Sequence, residues 1–451
     1  MAGGLMQLVA YGAQDVYLTG NPKVTFFQAV YKRHTNFAME NIEQTVNGTV
    51  GNSGRVSVTI ARNGDLIGDM YLEMQTATTL SVLAGTSAPS GCWAAERAVS
   101  AVELTIGGQR IDKHYQRWWR LYSELYLNED QKNKWAKMTT SATGAASTKL
   151  FLPLIFFFNR NAGLYLPLIA LQYHEVRLDI DMSSDFENYI SKTGFKVWGN
   201  YVYLDTEERR RFAQKGHEYL IEQVQHTGTD DAGDAGSAKQ IRLSYNHPVK
   251  ELVWCISGAS SSNAHLWNFT SNADVASQVV LSADPNYIRA GVPGALVSNI
   301  MALSSISTSA GVPQLLTGNT AGGTLAVSLA SWNEDGTHGD AKSVGPLDTF
   351  KLILNGQDRF KEQSGKYFNQ VQAYNHHSGN PMPGIYSYSF ALKPEEHQPT
   401  GTCNFSRIDN AQVEIKRKAD TPASVKTLNM FAVNYNVLRI QSGMGGLAFS
   451  N

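Results

Sequence analysis

Along much of the chain, apolar and polar residues alternate in short runs. In RVSVTIAR, Val56, Val58 and Ile60 fall on one side and Ser57, Thr59 and Ala61 on the other. Strict period two predicts a strand with one buried face. KQIRLSYN repeats the pattern with Ile241, Leu243 and Tyr245. Each run passes through a turn-rich link, NGD at 63–65 and NHP at 246–248. Each then enters a second apolar stretch, LIGDMYLEM or PVKELVWCI.

A second shared unit follows downstream. ELTIGGQRIDKHY (Glu103 to Tyr115) and FKLILNGQDRFKE (Phe350 to Glu362) are both an apolar strand, a glycine-containing turn, then Gln and Arg. Gly107-Gly108 and Asn355-Gly356 accept positive φ and predict two-residue hairpin turns, continued by Gln109 and Arg110 in one copy and Gln357 and Arg359 in the other. A helical pattern comes next in each case. Trp118, Leu121, Tyr122, Leu125 and Tyr126 recur at three and four residues, and so do Tyr367, Val371 and Tyr374. More strands close each half, LPLIALQYHEVRLDIDM in the first, GIYSYSFAL and FSRIDNAQVEIKR in the second.

The same order of elements is therefore spelled twice. Val56 and Ile241 lie 185 residues apart, and Gly108 and Gly356 lie 248 apart. The second copy carries about 63 extra residues within 258–346, a stretch rich in Ser, Gly, Ala, Thr and Asn that predicts a surface-loop insertion. The copies meet near LDTEERRRFAQKGHEYLIEQ, 204–223, where the charged run Glu207 to Arg211 reads as a polar linker or short helix. Two all-β units of this length predict tandem eight-stranded jelly rolls with short helices and long loops.

Composition narrows the function. The 451 residues allow two or three domains. Charged residues make up 17%, so part of the surface is expected to be covered by partners. Lys plus Arg is 38 and Asp plus Glu is 39, which argues against direct nucleic-acid binding. Cys92, Cys255 and Cys403 are too sparse for a zinc ribbon and read as ordinary thiols of a reducing compartment. No signal peptide is expected from the first residues. The strongest apolar run, LFLPLIFFF at 150–158, is too short to cross a bilayer and reads as a buried strand.

Catalytic patterns are missing. Gly365-Lys366 is followed by Tyr367, so there is no phosphate loop. His174-Glu175 has no second His four residues on, and His376-His377 reads as a polar loop. No cofactor, metal or catalytic residue is expected. Glu395-Glu396 and Asp230-Asp231 are adjacent pairs that point apart on extended chain, unsuited to glycoside hydrolysis together. Trp118, Trp119 and Trp254 read as core, whereas Trp267 sits in the insertion. Of three sequons, at Asn47, Asn268 and Asn404, Asn268 in the insertion is the candidate for glycosylation.

Seven blocks carry a resemblance: GGLMQLVAYGAQDVYLTGNPKVTFF, IGGQRIDKHY, LPLIFFFN, LPLIALQYHEV, NGQDRF, GTCNFSRIDN and YNVLRIQSGMGGLAFSN. They run from the first residues to the last. The chain resembles the major capsid proteins of nucleocytoplasmic large double-stranded DNA viruses, in the algal-virus, phycodnavirus-like branch. The resemblance implies a double jelly roll and a homotrimer forming a pseudo-hexagonal capsomer of an icosahedral shell. It implies an inner-face segment at 1–25, a first jelly roll at 26–207, a linker at 208–222 and a second jelly roll at 223–451. The insertion at 258–346 would project outward. Minor capsid and penton proteins are the implied partners, with the inner membrane contacted only indirectly. The protein would assemble in the host cytoplasm and reside in the virion. The alternative from another class is a duplicated β-sandwich that binds or hydrolyses carbohydrate, which predicts sugar binding and no need for trimers.

Overall fold

The computed structural model describes residues 3–77, 93–140, 149–257, 306–309, 312–316, 326–328, 345–381, 384–419 and 425–449. Residues 1–37 and 38–451 are separate compact units. The first unit holds two short helices, Gly3–Val9 and Val16–Thr19. Its Tyr17, Leu18, Phe26, Phe27, Val30 and Tyr31 are all exposed.

Among the described residues, sixteen principal strands build the second unit, the first of them entering it from Phe37. The first eight are β1 (Phe37–Gln44), β2 (Arg55–Thr59), β3 (Leu66–Gln75), β4 (Val99–Ile106), β5 (Gln109–Tyr115), β6 (Lys149–Pro153), β7 (Val176–Met182) and β8 (Lys196–Leu204). They form two sheets, ordered β1-β8-β3-β6 and β2-β7-β4-β5. The second eight are β9 (His217–Asp231), β10 (Ala238–Leu243), β11 (Pro248–Ser257), β12 (Leu347–Leu354), β13 (Gln357–Asp358), β14 (Ile385–Ser389), β15 (Ala411–Arg417) and β16 (Thr427–Gln441). Their sheets are ordered β9-β16-β11-β14 and β10-β15-β12-β13. Adding eight to each strand number of the first pair gives the second, so two antiparallel jelly rolls share one topology.

Alternation builds the cores. Val56 and Val58 are fully buried on β2, while Arg55 and Thr59 face out. Ile241 and Leu243 point inward on β10. Each inward set meets the opposing sheet of its own roll, so slipping any strand by one residue would expose its apolar side. Helix α1 (Gln116–Leu125) buries Trp118, Trp119, Leu121 and Leu125. Helix α2 (Glu129–Thr139) opens with a capping box between Asn128 and Gln131. Helix α3 (Thr206–Gln214) carries the charged run and has no buried residue. Strand β9 starts right after it at His217, within the stretch expected as linker.

Two local expectations are corrected. The run at 150–158 is buried, but the strand stops at Pro153, whose missing N–H cannot continue the ladder. Phe157–Arg160 is a helical turn instead. In the second roll the helical segment is present, but Val371 and Tyr374 face solvent. A π-turn at Tyr367–Val371 precedes helix α4 (Gln372–His376), and its wider spacing rotates Phe368, Asn369, Gln372 and Ala373 inward. Within the insertion only three short strands are described, 306–309, 312–316 and 326–328, paired as one antiparallel sheet. Cys92, Trp267 and Asn268 lie outside the described residues. No helix among the described residues is long and apolar enough to cross a membrane.

Candidate functional site: the seam between the rolls and the two hairpins

The two glycine turns occupy the same place in each roll. Gly107 and Gly108 join β4 to β5 with φ of +58° and +81°; Asn355 and Gly356 join β12 to β13 with φ of +51° and +79°. Asn355 holds its left-handed conformation with two bonds to the Asn410 backbone: its N–H donates to Asn410 O at 2.7 Å, and its Oδ1 accepts from Asn410 N at 3.1 Å.

Their surroundings differ. The first turn lies against the second roll's C-terminal hairpin. Leu447 N–H donates to Gln109 Oε1 at 3.2 Å, and His174 Nδ1 sits 2.9 Å from Gly445 O. A Cβ on Gly107 would meet the His174 ring at 2.4 Å. The second turn is bare. Asn355, Gly356, Gln357, Asp358 and Arg359 are all exposed, and a Cβ on Gly356 would meet nothing within 4 Å.

From the first turn the contact extends along a seam. Strand β5 runs beside β9, with Gln223 Nε2 donating to Ile111 O and Val224 N–H donating to Asp112 Oδ1 at 3.1 Å. Tyr115 packs edge-on against His226 at 4.9 Å, and Trp118 lies 5.7 Å from Phe431. Val253, Cys255, Ile385, Phe431 and Val433, on the face of the second roll's sheet turned away from its own core, are at most 2% exposed and join the first roll's core cluster. The first roll's apolar core thus continues across the seam onto this outer face, while the second roll keeps a separate core of its own around Trp254, Phe350 and Phe368. A cleft of about 540 Å³ opens beside it, lined by Gln109, Asp112, Tyr115, His226 and His247.

Charge is buried in the same seam. Glu222 on β9 lies 2.8 Å from Arg160 and 2.7 Å from Lys250, and Lys250 also donates to Pro394 O at 2.6 Å. Burial pushes the Glu222 carboxyl up, but the two cations outweigh it and hold it below its usual range. Burial, helped by Arg160, lowers Lys250 to about 8. Beside them the His377 side chain is fully buried, with Glu251 at 3.2 Å and Glu395 at 3.5 Å. Burial lowers its pKa, but the two carboxylates outweigh that and raise it to about 9. His376-His377 is therefore not a polar loop: His377 follows a helix that turns it inward onto Glu251 of strand β11 and Glu395 of a turn. Pairwise spacing gave no signal of this, because Glu251 and Glu395 come from other elements. Ser378 Oγ and Gly379 N–H then donate to the Tyr126 and Leu125 carbonyls of the first roll, at 3.2 and 3.0 Å.

Three of the four carboxylates weighed for hydrolysis are occupied structurally. Glu395 accepts from Ser378 N–H at 2.7 Å, Glu396 pairs with Lys393 at 2.9 Å, and Asp231 with Lys426 at 3.1 Å. Asn47 and Asn404 are exposed.

The sequence matches the family described as large eukaryotic DNA virus major capsid protein over residues 208–446, and that described as major capsid protein N-terminus over 25–205. The major capsid protein of Paramecium bursaria Chlorella virus 1 is 43% identical across the full length of both chains. That of Phaeocystis pouchetii virus is 40% identical, again over both full lengths. A chain from a quasi-atomic model of the PBCV-1 virus capsid superposes with a TM-score of 0.71 at 36% identity, covering 95% of this chain and 100% of the other. The Faustovirus major capsid protein shares the fold at a TM-score of 0.64 and 12% identity, over 97% and 96% of the two chains. With its double jelly roll and its carboxylates committed to structural pairs, the chain belongs to the major capsid proteins of nucleocytoplasmic large eukaryotic DNA viruses, structural subunits of the virion shell rather than enzymes.

Proposed function

We propose that three copies of this chain close into a homotrimer whose six jelly rolls form a pseudo-hexagonal capsomer, and that such capsomers tile an icosahedral shell. The observation that carries this reading is the repeated strand order, in which each strand of the first roll has a counterpart eight strands later. One chain offers two similar outlines, so three chains offer six, and a closed ring completes the contact. The division into rolls at 26–207 and 223–451 joined by 208–222 goes with this reading, the linker giving way to strand β9 at His217. The matched hairpins at Gly107-Gly108-Gln109-Arg110 and Asn355-Gly356-Gln357-Asp358-Arg359 are its clearest landmarks.

In this arrangement the insertion at 258–346 faces outward, and residues 1–25 face the shell interior. The exposed Tyr17 and Leu18 there suit contact with minor capsid and penton proteins rather than water. The membrane is reached only through such partners. The near-balanced charge gives the chain no electrostatic reason to hold DNA directly. Assembly takes place in the host cytoplasm. Negative-stain images of the purified protein test the reading: six lobes with threefold symmetry are expected, and isolated two-lobed particles would contradict it.

A further inference from the structure

The seam inside one chain is a template with two unused halves. It joins an edge of the first roll, made of the β4–β5 hairpin and α1, to the outward face of the second roll's β9-β16-β11-β14 sheet. That face is covered so completely that β11 and β16 are buried on both sides through most of their length. The first roll has the same sheet, β1-β8-β3-β6, but its outward face is open. There the burial is incomplete: Asp69 and Lys196 are exposed and Tyr71, Phe151 and Trp198 are half-buried, with only Glu73 beside them buried, accepting from Trp198 Nε1 at 2.7 Å and paired with Lys149. Trp198 is paired with Tyr71 across the β8–β3 ladder, and the Tyr71 and Phe151 rings meet at 5.7 Å. Three aromatic rings thus lie side by side on a face whose counterpart is core.

The complementary half is equally bare. In the second roll, the β12–β13 hairpin is exposed, and the helical segment after it presents Tyr374 at 89% exposure and Val371 at 42%. Leu392, 75% exposed, is tied to the same helix end by a 3.0 Å bond between its carbonyl and His376 Nδ1. In the first roll, the matching helix seats Tyr122 and the following Tyr126 at the seam, where Lys250 lies 5.9 Å over Tyr126 and Arg160 lies 5.8 Å over Tyr122.

We propose that Val371, Tyr374 and Leu392 with the β12–β13 hairpin of one copy dock on the Tyr71–Phe151–Trp198 face of a second copy, repeating between chains the seam that already joins the rolls within a chain. The occupant is a second copy because the covering element is known from the internal seam: a hairpin and helix of this same fold. The contact is heterologous, with different surfaces on its two sides, so it propagates around a ring instead of ending at a pair. The proposal rests on the trimer reading and adds to it the surfaces and their direction.

The test uses full-length chains and solution mass. Wild-type protein sets the reference; if it is a single chain, the trimer reading fails and this proposal fails with it. Given a three-chain wild type, Tyr374→Glu and Trp198→Lys, each alone, are expected to lose the three-chain species and run as folded single chains. Mixing the two variants at high concentration is then expected to produce a two-chain species. The Tyr374→Glu copy keeps its sheet face and the Trp198→Lys copy keeps its helix, so one contact survives. A variant that remains three-chain would overturn the proposal while leaving the trimer intact. A mixture that stays single-chain would overturn the pairing of these two surfaces. Cooperative melting checks folding, and Tyr374→Ser and Trp198→Ser repeat the test with milder changes if either charged variant fails to fold.

Discussion

The two jelly rolls share a strand order yet live in different surroundings. The first roll's β1-β8-β3-β6 sheet has one buried face; its counterpart in the second roll has two. Both hairpin turns are exposed, but the first touches its neighbours through Gly107, against the His174 ring, and Gln109, bonded to Leu447, whereas no such contact flanks Gly356. Topology is thus set by each roll's own alternation, whereas burial of the outer surfaces is set by what stands next to each roll. A duplicated fold becomes useful for assembly because its copies are not equally satisfied.

Carboxylates on the equivalent strands β1 and β9 give the largest expected contrast. Glu222→Ala would leave Arg160 and Lys250 buried without their shared counter-charge, at a cost of about 3–5 kcal/mol. Glu43→Ala on β1 breaks only a solvent-screened pair with Lys196, both partners 45% exposed, and should cost far less. Denaturant unfolding of both variants measures the gap, and equal costs would contradict the assignment of one face as seam and the other as open.

His377 sharpens the same contrast through pH. Its folded pKa, about 9, lies above the ordinary 6.5. Its contribution is therefore complete below about 6.5 and is lost as pH rises toward 9. Lys250, lowered to about 8, acts in the opposite direction only from there upward. Between pH 6.5 and 8 stability should fall by up to about 2 kcal/mol. His377→Gln should flatten that slope in melts taken across the range, and an unchanged slope would place its origin elsewhere.

The turns come next. Gly107→Val meets both a positive φ and the His174 ring, whereas Gly356→Val meets the positive φ alone. The second should cost about 1–2 kcal/mol, and the first at least about 1 kcal/mol more. Equal melting temperatures would remove the distinction between a turn that packs on the His174 ring and one that does not. Smallest of all, deleting most of 260–340 should leave the melting transition unchanged while altering the outer surface. Loss of soluble assembled protein would contradict the loop reading.

Much of this was legible in the sequence because it depends on local periodicity. Val56, Val58, Ile241 and Leu243 alternate, and positive φ at Gly108 and Gly356 is written in the turn residues themselves. Helix faces were less legible. The π-turn at 367–371 changes which residues look inward without changing the apolar spacing that predicts a helix. The seam's ion cluster was not legible at all, since Glu222, Lys250, Glu251, His377 and Glu395 come from separate parts of the second roll and Arg160 comes from the first. Nor could alternation distinguish a sheet face covered by a neighbouring roll from one left open, since the sheet topology is identical in both.

The most direct test of the central claim is the solution mass of the purified chain by light scattering. A stable species three times the 49.5 kDa chain is the predicted result. A species that stays at the mass of one chain at every concentration would contradict it.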